Sequence, residues 1–221
     1  MRVVHIITRL ILGGAQENTL LTVLGQHRDW HDEVTLITGP GLGPEGSLVQ
    51  RAESAGLDLR LLPEMQRNIR PWGDWMSYRG LLRLLRAIHP DLVHTHSSKA
   101  GILGRQAAYK LGIPAVHTIH GPSFYPFQPR PAYLIYRAAE TWAAKRCDRL
   151  ISVCDAMTDQ YVAAGVAPRS KFTTVYSGME VEQFLNPPRP RETVRRELGF
   201  EPGLQHKTLR EEEVNRGGEP P

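Results

Sequence analysis

His120 sits in the run Thr118-Ile119-His120-Gly121, directly after the apolar stretch at residues 113–116. An imidazole where a buried strand ends is placed to donate to a hydroxyl, or to stabilise charge as a bond to an anionic leaving group breaks. Near the start of the chain, Gly13-Gly14-Ala15-Gln16-Glu17 follows a second apolar run. Two residues without Cβ atoms let the backbone turn sharply and bring amide N–H groups and a helix N-terminus close to an anion. The pair reads as two parts of a phosphate-handling cleft.

A third group lies in Asp91-Leu92-Val93-His94-Thr95-His96-Ser97-Ser98-Lys99-Ala100-Gly101. His94 and His96 fall on one side of a strand, because strand side chains alternate. That spacing suits a metal pair, but no third ligand of matching kind is visible nearby, so no metal is expected and His94 is read as a hydrogen-bonded core histidine. His96 is expected nearer the cleft, as a substrate contact. Ser97 and Ser98 are candidates to cap the next helix, and Lys99 and Arg105 to meet an anionic acceptor, against the plainer reading of exposed helix charges.

These residues need a scaffold that gathers them. Short apolar runs bounded by glycine, proline or polar residues predict strands at residues 3–8, 34–38, 59–63, 92–95, 115–119, 150–153 and 172–176. Helical patterns between them cover residues 15–26, 47–55, 75–88, 99–111, 131–146 and 156–164. Strand and helix alternation predicts an α/β fold, a Rossmann-like doubly wound parallel sheet in a single domain. Ligands then gather at the carboxyl ends of the strands, where Gly13, Gly14, His96, His120 and Cys154 all map.

The chain of 221 residues suits one sizeable α/β domain with an appendage, and 41% hydrophobic against 23% charged residues is ordinary for a globular protein. A net charge of +4 with pI near 9.2 favours phosphate-bearing ligands or an anionic membrane surface and is too weak to announce nucleic acid. Cys147 and Cys154 lack metal-like spacing, which fits a reduced, cytoplasmic chain. The apolar stretch at residues 3–12 is too short and too polar for a membrane span or a signal core. Residues 187–200 read as a linker with a short helix, since Pro187, Pro188 and Pro190 remove amide donors, and residues 201–221 as a disordered tail.

Three further features compete for function. Gly41-Leu42-Gly43-Pro44-Glu45-Gly46 has the spacing of a dinucleotide fingerprint. It follows the second strand where the fingerprint follows the first, and Pro40 and Pro44 lack amides, so an NAD-dependent enzyme is a remote alternative. Arg79, Arg83 and Arg86 form a basic stripe beside an apolar helix face, either a solvated surface or a membrane contact. Tyr125, Phe127 and Tyr133 are either an aromatic lip over the acceptor or anchors of a proline-stiffened loop.

With Ile151-Ser152-Val153-Cys154-Asp155 and Val175-Tyr176-Ser177-Gly178-Met179-Glu180 before Phe184, the motifs at Gly13, His94 and His120 occur in an order that resembles the N-terminal domain of family-4 glycosyltransferases. The resemblance runs to about Phe200, with residues 1–186 as the domain. Cys154 stands where that family usually has serine. The resemblance implies the N-terminal half of a two-domain GT-B fold and a retaining enzyme that moves a sugar from a nucleotide-sugar to a glycan or lipid-linked acceptor. It assigns the catalytic role to His120, beside the sugar being transferred, and substrate contacts to Gly13, Gly14, His96, Lys99 and Gly121. No cofactor and no nucleic-acid partner are implied.

In that family the second domain holds the nucleotide-sugar with an Arg and Lys pair and two glutamates seven residues apart, and nothing of that kind follows Phe200. The chain is thus expected to be the acceptor-side half, a truncated gene product or one part of a split enzyme with a separate donor-domain chain. It would be cytoplasmic, with possible peripheral contact at the inner membrane face. The alternative is a catalytically inactive sugar- or partner-binding domain.

Overall fold

The computed structural model describes residues 1–41 and 44–200. The expected tail at residues 201–221 and the centre of the Gly41 to Gly46 loop lie outside the described residues. The chain divides into two compact units, Met1–Met179 and Glu180–Pro221. The second contains two short helices, Glu182–Leu185 and Arg191–Glu197.

In the first unit strands and helices alternate. They are β1 (Arg2–Arg9), α1 (Gly14–Asp29), β2 (Glu33–Gly39), α2 (Val49–Ser54), β3 (Asp58–Leu61), α3 (Pro71–Ile88) and β4 (Leu92–His96), followed by α4 (Ser98–Leu111), β5 (Ala115–Ile119), α5 (Arg130–Ala144), β6 (Arg149–Ser152), α6 (Asp155–Ala163) and β7 (Phe172–Thr174). The strands form one sheet in the order β3-β2-β1-β4-β5-β6-β7, every neighbouring pair parallel. This is the doubly wound Rossmann-like architecture expected from the alternation. The order reverses between β1 and β4, so the loops leaving those strands diverge to opposite faces and open a crevice at their carboxyl ends.

Both faces of the sheet are covered, which is why β1 is apolar at Val3, Val4, Ile6 and Ile7, all buried. One face carries Val4, Ile6, Val93, Ala115, Ile119 and Leu150 against residues of α3, α4 and α6. The other carries Ile7, Val34 and Leu36 against Leu20 and Val23 of α1 and Ala52 of α2. Helix α4 lies close on the sheet because of two glycines. A Cβ on Gly101 would fall 2.5 Å from the His117 ring, and one on Gly104 2.7 Å from Thr95. That close approach fixes the start of α4, and with it Ser97 and Lys99, relative to β4 and β5.

Helix α3 begins at Pro71, earlier than the expected residue 75. Proline is favoured in the first helical turn, where its missing N–H is no loss. The free N–H of Arg70 is taken by Asp74 Oδ2 at 3.1 Å. Strand β7 ends at Thr174 and not at residue 176, although the Val175 N–H still donates to Ser152 O at 2.9 Å. The glycine-rich loop after β2 folds back onto the segment before Gly13. Leu12 N–H donates to Gly46 O at 3.2 Å, Leu48 N–H to Leu10 O at 2.9 Å, and a Cβ on Gly41 would meet Ser47 Oγ at 2.9 Å. Gly41 and Gly46 stand at these contacts, which tie the described ends of the loop to the exit of β1.

Candidate active site at the strand-order reversal

The crevice receives the ends of β1, β4 and β5. The loop after β1 delivers Gly13 and Gly14 to the start of α1, β4 ends in His96 and Ser97, and His120 follows Ile119 at the end of β5. Gly13 is the residue preceding α1 and its backbone is extended. A Cβ on Gly14 or on Gly121 would meet no atom within 4 Å. The surrounding protein therefore leaves open space at both positions, and Gly121 borders a cavity.

A cavity of about 560 Å3 opens beside these elements, lined by Thr8, Arg9, Gln16, Arg67, Lys99 and Glu140 among its polar residues and by Ile69, Ile102, Leu103 and Tyr136 among its apolar ones. A smaller cavity of about 270 Å3 is lined by Ala15, His120, Gly121 and Tyr161. Ser97, Ser98 and Glu140 line both, so the two adjoin. Lys99 lines the larger one as a partner of Asp74 Oδ1, 2.6 Å away, and it also donates to Asn68 O. Its side chain is held at the base of α3 rather than extended into solvent.

Arg105 is elsewhere. Expected to reach an anionic acceptor, it is fully buried, donates through Nε to Gly101 O at 2.8 Å and through Nη2 to Glu140 Oε2 at 2.9 Å. It joins α4 to α5 and is not available to an acceptor. Ser97 also departs from expectation, because its hydroxyl makes no cap bond to α4. Ser97 Oγ instead accepts from the Thr8 N–H at 3.2 Å and shares a bond with Thr8 Oγ1 at 2.7 Å.

The histidines are packed together. His5 and His94 are register partners on β1 and β4, and His96 pairs with Thr118 of β5, so one face of the sheet carries His5, His94, His96 and Thr118 side by side. The expectation that no third ligand stands near His94 and His96 is corrected: His5 does, with one ring nitrogen of each within 4.8 Å of the others. These nitrogens are engaged, however. His5 Nε2 is 2.7 Å from Gln26 Oε1, His5 Nδ1 is 3.0 Å from His96 Nε2, and His96 Nδ1 is 3.0 Å from His120 Nε2. His94 Nε2 is 2.7 Å from Thr118 Oγ1. A metal ion held by one nitrogen of each ring would have to displace a hydrogen bond of His5 and of His96.

His96 is 1% exposed and lies behind His120. Its Nδ1 is bonded to His120, whose ring borders the smaller cavity. Burial lowers the pKa of His5 and of His120 to about 4 and holds His94, His96 and His117 well below the usual imidazole value; protonation of any of these three is further opposed by the neighbouring imidazoles and, for His117, by Arg105. All are neutral at pH 7. His5, Gln26, Thr8 and Asp74, which the sequence did not single out, complete the site.

A parallel sheet with a ligand-sized crevice at its order reversal defines a Rossmann-like domain of the kind that makes up one half of a GT-B enzyme. Residues 13–183 match Glycosyltransferase Family 4, and the chain belongs to that family. It is 36% identical over 124 residues to the Escherichia coli UDP-Gal:alpha-D-GlcNAc-diphosphoundecaprenol alpha-1,3-galactosyltransferase, a match covering 56% of this chain and 32% of that protein. The fold resembles that of Anabaena HepE, solved with UDP and glucose, with TM-score 0.66 and 16% identity over 90% of this chain and 50% of the other. It also resembles the UDP-GlcNAc 2-epimerase of Neisseria meningitidis bound to UDP-GlcNAc, with TM-score 0.57 and 15% identity over 79% of this chain and 46% of the other. The match thus spans about a third of this curated relative and about half of these solved chains.

Proposed function

We propose that this domain forms the acceptor side of a retaining transferase that moves a sugar from a nucleotide-sugar to a lipid-linked, diphosphate-bearing acceptor, without metal or other cofactor. The observation that carries this reading is the two-natured cavity, adjoining His120 and Gly121: its polar part holds Arg9, Arg67 and Lys99, with the carboxylates of Asp74 and Glu140 paired to Lys99 and Arg105, and its apolar part holds Ile69, Ile102 and Leu103. An anionic head joined to an apolar chain fits such a lining better than a neutral glycan does. The E. coli relative is named for a diphosphoundecaprenol acceptor, and the Anabaena and Neisseria structures hold UDP or a UDP-sugar, which supports the nucleotide-sugar side.

In this reading Gly13, Gly14 and Gly121 give close backbone approach to the ligands, His120 meets the transferred sugar, and Lys99 faces the acceptor's phosphates while Asp74 orients it. The membrane presents the acceptor. Ile69, Trp72 and Trp75 are exposed around the start of α3, the two tryptophans stack at 4.8 Å, and Arg79, Arg83 and Arg86 follow on exposed positions of the same helix. Indoles beside arginines suit an anionic interface on the cytoplasmic side. No helix among the described residues is long and apolar enough to cross a membrane.

The test is to join the domain after Phe200 to the donor-binding domain of a relative and assay UDP-sugars with a polyprenyl-diphosphate-linked sugar and with the same sugar free. Transfer to the lipid-linked acceptor alone is expected, and none from the unjoined domain, since positioning the two substrates supplies about 7–11 kcal/mol of the barrier. Efficient transfer to the free sugar would remove the acceptor assignment. Binding of both substrates without turnover in the joined protein would favour an inactive binding domain.

A further inference from the structure

Gln26, His5, His96 and His120 form an unbroken line of hydrogen bonds from the last turn of α1 to the cleft. A neutral imidazole has one N–H and one lone pair, so in such a line each ring must donate one way and accept the other, and fixing one end fixes all of them. Both ends are fixed here. At the inner end the partner of His5 Nε2 is the oxygen of the Gln26 amide, which only accepts, so His5 carries its proton on Nε2 and accepts at Nδ1. His96 then donates from Nε2 to His5 and accepts at Nδ1, which requires the proton of His120 to sit on Nε2.

The outer end gives the same answer independently. Thr19 Oγ1, 3.4 Å from His120 Nε2, spends its only proton on Ala15 O at 2.7 Å, so it can only accept from the ring. His120 Nε2–H is thereby shared between His96 Nδ1 and Thr19 Oγ1. No described residue is bonded to His120 Nδ1, and the ring borders the smaller cavity with Ala15 and Gly121.

We propose that Gln26, His5 and His96 are positioning residues that lock His120 in the Nε2–H tautomer and leave its Nδ1 as a lone-pair acceptor for the cleft. A ring in that state takes a hydroxyl or N–H from its ligand and is repelled by an unprotonated phosphate oxygen. The tautomer does not depend on the proposed transfer reaction; that the hydroxyl belongs to the transferred sugar does rest on it.

The chain as it stands, labelled with 15N-histidine, tests this by long-range 1H–15N correlation at pH 7.5. His120 should show an unprotonated Nδ1 and a protonated Nε2, and the reverse pattern would overturn the proposal without any variant. Gln26→Glu retains an acceptor and should leave the pattern unchanged. Gln26→Lys offers only a donor and should exchange the protonated and unprotonated nitrogens of His5, His96 and His120 together. His94 and His117, bonded to Thr118 and Thr95 outside the line, should keep their own protonated and unprotonated nitrogens and so report that the fold is intact. Reversal of His5 without reversal of His120 would show that the line carries no information. Added inorganic phosphate should leave His120 Nδ1 unmoved, and a shift on titration would overturn its assignment to hydroxyl ligands.

Discussion

Thr8, at the end of β1, caps the helix that follows β4: its Oγ1 accepts the Ala100 N–H at 3.1 Å and lies 2.7 Å from Ser97 Oγ. Ser97, the residue in the usual capping position, is held at φ 59 and ψ 158, a conformation costly for any residue with a Cβ. The two strands that border the crevice are thus tied at their carboxyl ends by a hydroxyl pair. Losing a helix cap costs about 0.5–2 kcal/mol, so Thr8→Val should lower the stability by that much, and Thr8→Ser much less. Ser97→Gly removes both the hydroxyl and the backbone strain, whereas Ser97→Ala removes only the hydroxyl. Urea titration should therefore find the glycine variant the more stable of the two.

Arg105 and Glu140 set a second expectation. Their side chains are 0% and 3% exposed, Ser123 Oγ donates to Glu140 Oε1 at 3.2 Å, and Arg105 Nη1 has no partner among the described residues. Removing one member of such a pair strands the other charge, at about 3–5 kcal/mol. Glu140→Ala should thus be severely destabilised. Arg105→Met with Glu140→Leu should cost well under the sum of the single changes, since it leaves no buried charge behind. If the double variant is as unstable as the sum, the pair is doing something other than neutralising itself.

How far the sequence foretold this arrangement follows from which contacts are local. The strands could be found from apolar runs, and Gly14, His96, Lys99 and His120 could be placed at one edge, because strand and helix alternation fixes which end of a parallel sheet each loop leaves. What it could not supply is register. His5 sits inside an apolar run, and only the pairing of β1 with β4 sets it opposite His94. Arg105 reads as an exposed helix charge because its partner Glu140 lies on another helix. The early start of α3 was marked by Pro71, but the apolar periodicity used to place that helix begins only later. The acceptor role of Nδ1 required the positions of Gln26 and Thr19, neither of which carries a motif.

The neutral histidines imply an acid-sensitive fold. His5 and His120 have folded-state pKa values near 4 against 6.5 for a free imidazole, so between those values the unfolded chain binds more protons than the folded one. Their contribution to stability is complete above about pH 6.5 and is lost progressively as pH falls toward 4, with about 1.4 kcal/mol for each full unit of depression. The urea midpoint should fall across that window. His94 is depressed in the same direction, by burial first and by His5 and His120 next. His94→Gln should accordingly lower stability at pH 7.5, yet show a shallower loss between pH 6.5 and pH 4. An unchanged slope would mean that His94 takes no part in the acid transition.

His120 decides between two catalytic roles with different magnitudes. A ring that donates to the departing diphosphate acts only in the transition state, and its removal should cost about 10²–10³ in kcat. A ring that accepts from a sugar hydroxyl through Nδ1 contributes a neutral hydrogen bond, about 0.5–1.5 kcal/mol, or roughly two- to tenfold, and much of that is felt in KM. The directional line from Gln26 and the neutrality of the ring favour the second. In the joined enzyme, His120→Ala should therefore reduce kcat/KM by about tenfold. His120→Asn, whose amide oxygen can stand near the Nδ1 position, should recover more than His120→Gln, whose oxygen reaches toward the Nε2 position. His94→Ala should lower stability by about 1–3 kcal/mol through the unpaired Thr118 hydroxyl and leave kcat of the folded protein intact. A loss near 10³ in kcat for His120→Ala, with no advantage of Asn over Gln, would return the ring to the leaving group and require its proton on Nδ1.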